Sequence, residues 1–78
     1  MTSPDAVRER LAREDAEYRR LSRKHEACEE RLAELQARRF LTDAERTEET
    51  TLKKTKLLYK DQMERAVARQ LEVEKVAR

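Results

Sequence analysis

Arg38-Arg39-Phe40-Leu41-Thr42-Asp43-Ala44-Glu45 is the stretch whose reading decides the fold. Here the seam positions become basic and two apolar residues fall side by side, so the pattern of threes and fours breaks. Thr42 and Glu45 then stand three apart, the spacing at which a threonine hydroxyl accepts from a backbone N–H while the glutamate carboxylate reaches back. One helix therefore ends near Arg39 and another begins near Asp43. Arg38 and Arg39 sit at the negative end of the first dipole, and Asp43 and Glu45 at the positive end of the second. The turn is expected at about 40–43.

Upstream, Ser3-Pro4-Asp5 has the form of a helix start: a capping hydroxyl, a proline at the first helical position and an early acidic residue. From there Val7, Leu11, Tyr18, Leu21, His25, Cys28, Leu32 and Leu35 recur at steps of three and four, interrupted only by the charged Glu14. Downstream, Leu52, Lys56, Tyr59, Met63, Ala66, Gln70, Val73 and Ala77 continue the pattern, flanked by Leu57, Val67 and Leu71. Helix one is thus predicted over about 4–39 and helix two over about 43–76, in a single domain spanning 1–78. Folding the two seams together in one register opposes Leu32 with Leu52, His25 with Tyr59, Leu21 with Met63 and Leu11 with Val73. The fold class is all-α: an antiparallel, coiled-coil-like two-helix hairpin. Each arm of about 36 residues would be roughly 54 Å long at 1.5 Å per residue.

Composition agrees. Charged residues form 46% of the 78, glycine is absent and Pro4 is the only proline, so no breaker interrupts either helix. The 19 Lys and Arg and 17 Asp and Glu are interleaved throughout, which leaves neither a basic arm nor an acidic tail. The opening residues lack the pattern of a secretory signal, and no apolar run reaches the length of a membrane span. With the lone Cys28, this makes a cytoplasmic setting the expectation. A chain this short buries little apolar surface. The off-seam residues Leu57, Leu58, Val67 and Leu71 are accordingly expected to form an interaction surface, with a dimer of hairpins, a four-helix bundle, as the assembly.

Leu41-Thr42-Asp43 and the run Leu52-Lys53-Lys54-Thr55-Lys56-Leu57-Leu58-Tyr59-Lys60-Asp61-Gln62-Met63 resemble the signature of the YdcH-like family of small bacterial proteins of unknown function. That signature is a Leu-Lys-Lys-x-Lys-Leu-x-Leu-Lys-Asp-Glu-Ile run after a Leu-Thr-Asp turn; here Tyr59 replaces Leu, Gln62 replaces Glu and Met63 replaces Ile. The resemblance covers about residues 17–66. It implies a helical hairpin in a bacterial cytosol and brings no catalytic residue or ligand with it.

Candidate chemistry is sparse. His25 and Cys28 share a helix face, but two donors per chain do not make a tetrahedral zinc site without a second copy. The expectation is no metal and no cofactor. Without glycine there is no phosphate-cradling loop, and a nucleophile and base would share an open helix surface that cannot exclude water. No catalytic residues are therefore expected. Lys53, Lys54, Lys56 and Lys60 are the densest basic stretch and the candidate phosphate-contacting face of an alternative nucleic-acid or ribosome-associated function. Nearby Glu48, Glu49, Asp61 and Glu64, and the lack of stacking aromatics, favour reading that stretch as a solvated face. The leading expectation is a non-catalytic, self-associating protein–protein interaction module.

Overall fold

Ser3 starts the first helix as its residue type demands. Its backbone is extended and its hydroxyl accepts from the Ala6 N–H at 3.2 Å, with Pro4 in the first turn. The computed structural model describes residues 3–76, all of them helical or connecting, with no strand. Three helices follow one another: α1 Pro4–Glu14, α2 Ala16–Gln36 and α3 Asp43–Val76. The predicted single helix over 4–39 is thus corrected to two. Asp15 is extended (φ −108°, ψ 112°) and serves both ends: its N–H donates to the Leu11 carbonyl at 2.9 Å, and its carboxylate accepts from the Tyr18 N–H at 3.0 Å. Arg19 Nη1 donates to the Arg13 carbonyl at 2.6 Å, covering one of the acceptors that the break leaves without a helical partner. Asp competes with the helix for backbone donors, which is why it breaks here where a stronger helix former would continue.

α2 ends at Gln36, earlier than expected, and residues 37–42 connect it to α3 without any positive φ. The capping box is present in both directions. The Thr42 N–H donates to Glu45 Oε1 at 3.0 Å and the Glu45 N–H to Thr42 Oγ1 at 3.1 Å. Thr47 and Thr50, weak helix formers, return their hydroxyls to the Asp43 and Arg46 carbonyls at 3.1 and 3.2 Å. Thr42→Ala should lower stability by about 1 kcal/mol, because one cap acceptor disappears and Glu45 loses its reciprocal partner. Urea denaturation followed by helical circular dichroism measures it; an unchanged midpoint would assign the helix start to other contacts.

Side chains of α1, α2 and the connection meet α3 at several points, and Arg8 of α1 lies 3.8 Å from Glu64. Arg38 pairs with Glu45; the Arg31 guanidinium grips Glu48 through two hydrogen bonds of 2.9 Å; the Lys24 ammonium lies 5.8 Å from the Tyr59 ring centre; Arg10 pairs with Glu74. The extents are 55 × 20 × 17 Å, the long axis being about the length of α3 at 1.5 Å per residue. Val7, Leu11, Tyr18, Leu21, Cys28, Leu32 and Leu35, seven of the eight residues of the first predicted seam, are buried, and His25 is half-buried. On α3 only Val67 is fully buried; Leu52, Tyr59, Met63 and Ala66 are half-buried.

One position of the α3 seam needs correction. Val73 is 60% exposed and does not oppose Leu11. Instead Val67, with Met63, Ala66 and Leu71 against it, closes a cluster with Val7, Leu11 and Tyr18. The cause is helix geometry. A strict seven-residue repeat drifts about 20° per heptad on a straight α-helix, so Val73, three heptads after Leu52, is about 60° off the line that Leu52 starts. The inward stripe moves one residue on, to Val67, Gln70, Leu71 and Glu74. Ala77, the last predicted seam residue, lies outside the described residues.

Candidate functional site

Exposed large apolar side chains are candidate contact points for a partner where several share a face. Leu57, Leu58, Val73 and Val76 are 62, 56, 60 and 80% exposed, and all four lie on α3. Of the four residues read as an interaction surface, therefore, only Leu57 and Leu58 are available to a partner. Val67 is 5% exposed and Leu71 packs beside it, so both belong to the chain's own interior. The repeat drift that expels Val73 brings Val67 and Leu71 in. Leu58 and Val76 stand about five full turns apart at 3.6 residues per turn and so share one face, with Val73 about 60° from them. Leu57 projects about 100° from Leu58, toward Lys53, Lys60, Asp61 and Glu64, and stands apart from that stripe. On the stripe side a hollow of about 530 Å³ lies between α2 and α3, bordered by Leu21, Glu17, Gln62, Arg65 and Arg69.

The lysines are less gathered than their sequence run suggests. Lys53, Lys54 and Lys60 are exposed and Lys56 is half-buried in the stripe facing α2. Lys53 lies 3.7 Å from Glu49, and Lys54 projects about 100° from Lys53 around the helix. His25 Nδ1 is 2.9 Å from Glu29 Oε1 one turn on, and Cys28 is buried. Among the described residues no three or more His, Cys, Asp or Glu side chains converge to hold a metal ion. No described helix is long and apolar enough to cross a membrane.

Ionisation follows the ion pairs. Arg31, hydrogen-bonded to Glu48 and also 3.0 Å from Glu34, has its guanidinium pKa raised, and the same hydrogen bonding holds Glu48 below the ordinary carboxylate range. Glu17 is lowered likewise by its hydrogen bonds to Arg20. Burial pushes the Tyr18 phenol up. These are cross-links and surface pairs in contact with water, and each exposed pair contributes little.

The connection between α2 and α3 holds a feature that periodicity does not reveal. Phe40 is 82% exposed, and beside it a hollow of about 340 Å³ is lined by Leu41, Arg38, Arg39 and Arg46, with buried Leu35 behind and Glu49 at one side. The only signal for it in the sequence is the adjacency of Phe40 and Leu41 where the seam breaks, which marks a turn and says nothing of a hollow. No protein-family model matches this chain, and neither the curated proteins nor the solved structures include a significant match to it.

Proposed function

We propose that the chain is a non-catalytic helical-hairpin protein of the YdcH-like kind, which self-associates and serves as a protein–protein interaction module. In this reading α1 and α2 form a first arm broken at Asp15, and α3 returns beside it antiparallel. The descending order of the Arg38–Glu45, Arg31–Glu48 and Lys24–Tyr59 pairs supports the antiparallel course of α2 and α3, whereas α1 meets α3 out of that order, Arg8 at Glu64 and Arg10 at Glu74. The observation that carries self-association is the set of exposed apolar side chains on α3, with Leu58 at one end and Val73 and Val76 at the other of a face that Gln62, Arg65 and Arg69 occupy between them. Specific interfaces bury about 800 Å² per partner. One long side of a 55 × 20 × 17 Å body suffices for that, and the hollow beside Leu21 is a seat for a partner's Leu58. Two-fold pairing is the commonest way to cover such a face.

Sedimentation and thermal melts at several concentrations test this. A dimer at micromolar concentration, with a melting temperature that rises with concentration, is the expected result. Leu58→Lys with Val73→Lys should convert it to a folded monomer. A native chain that stays monomeric at high concentration, with a concentration-independent melt, refutes the self-association. The alternative partner, nucleic acid on Lys53, Lys54, Lys56 and Lys60, is separated by a salt titration, because phosphate binding weakens steeply with salt.

A further inference from the structure

Phe40 is a large aromatic side chain held in water at the end of the molecule where α2 gives way to α3, and nothing in the fold requires it there. Its ring centre is 5.8 Å from the Arg39 guanidinium, within reach of a cation–π contact. Beside it, the hollow of about 340 Å³ has an apolar side made by Phe40 and Leu41, and a rim of Arg38, Arg39 and Arg46. Arg38 is engaged by Glu45, whereas among the described residues Arg39 and Arg46 hold no ion pair. Two guanidinium groups beside a shallow, open hollow of mixed polar and apolar lining are thus open to an incoming anion, and the capping box holds the start of α3 in place behind them.

We propose that this end of the molecule is a docking site for a segment of another protein that presents an apolar side chain next to a carboxylate. The apolar side chain enters the hollow against Phe40 and Leu41, and the carboxylate pairs with Arg39 or Arg46. Local charge selects this occupant. Asp43, Glu45 and Glu49 stand among the three arginines, so the end carries mixed charge with no excess of cation. A polyanion such as RNA, or an anionic lipid surface, would meet those carboxylates at the same time as the guanidiniums. A partner with one localised carboxylate meets only the open ones. A single protruding apolar side chain is also a weak membrane anchor, whereas aromatic residues and arginines around a pocket are the composition of protein-interface hot spots. The site is separate from the Leu58 stripe and does not depend on self-association.

The test is selection of a displayed library of random short peptides on the immobilised full-length chain. Enriched peptides should share an apolar residue beside Asp or Glu, and their affinity should fall at least about tenfold against Phe40→Ala and against the double variant Arg39→Gln, Arg46→Gln. Both variants alter exposed side chains, and circular dichroism should show them folded. Leu58→Lys should bind the same peptides unchanged, which separates this site from the self-association face. Failure of any peptide to enrich, equal binding to the Phe40→Ala chain, or tighter Phe40-dependent binding of single-stranded RNA or of anionic phospholipid vesicles would each overturn the proposal.

Discussion

Leu35→Ala should lose about 2–5 kcal/mol of stability, the cost of removing a buried leucine together with the cavity it leaves. Leu35 has no exposed surface, and it sits in the last turn of α2, just before the connection to α3. At roughly 0.05–0.15 kcal/mol per residue, a chain of this length has about 4–12 kcal/mol in all, so the variant gives up a large share of what holds it folded. Phe40→Ala, five positions on, removes a larger side chain but one already in water, and should change stability by no more than about 0.5 kcal/mol. Thermal melts compare the two directly, since 1 kcal/mol moves the midpoint of a domain this small by about 4–8 °C. Equal melting temperatures would mean that Leu35 is not packed as described.

The second large effect separates the chain's interior from its outer face. Val67→Lys places a charge in the cluster of Val7, Leu11 and Tyr18 and should cost roughly 3 kcal/mol or more, even if the lysine stem bends outward. Leu58→Lys, on the same helix and of the same chemistry, should leave the chain's own stability within about 0.5 kcal/mol while weakening the proposed self-association. Denaturation at low concentration measures the first quantity and sedimentation the second. If Val67→Lys is tolerated as well as Leu58→Lys, α1 does not close on α3 through Val67, and the seam lies where a strict heptad repeat would put it.

The contrast between these positions shows how unevenly the molecule is written into its residues. Steps of three and four through Val7, Leu11, Tyr18, Leu21, Cys28, Leu32 and Leu35 suffice to identify an apolar helix face, because local periodicity and burial are directly linked. The two cap motifs, Ser3-Pro4-Asp5 and Thr42-Asp43-Ala44-Glu45, place helix starts because capping is a matter of a few neighbouring atoms. All-helical character and the two helix starts were therefore decided by sequence alone. Asp15 was legible in principle, as a capping residue after the charged Glu14, but a helix-long apolar repeat read across it masks the break.

Tertiary structure alone decided which α3 residues face inward and which face out. The choice between Val67 and Val73 depends on the small mismatch between seven residues and two helical turns, accumulated along a straight helix, and on where α1 arrives after the extended Asp15. The hollow beside Phe40 is likewise invisible to periodicity. It exists because the last turn of α2, the connection and the first turn of α3 bring Leu35, Leu41 and Arg46 together, and a contact set by the connection leaves no repeat in the sequence.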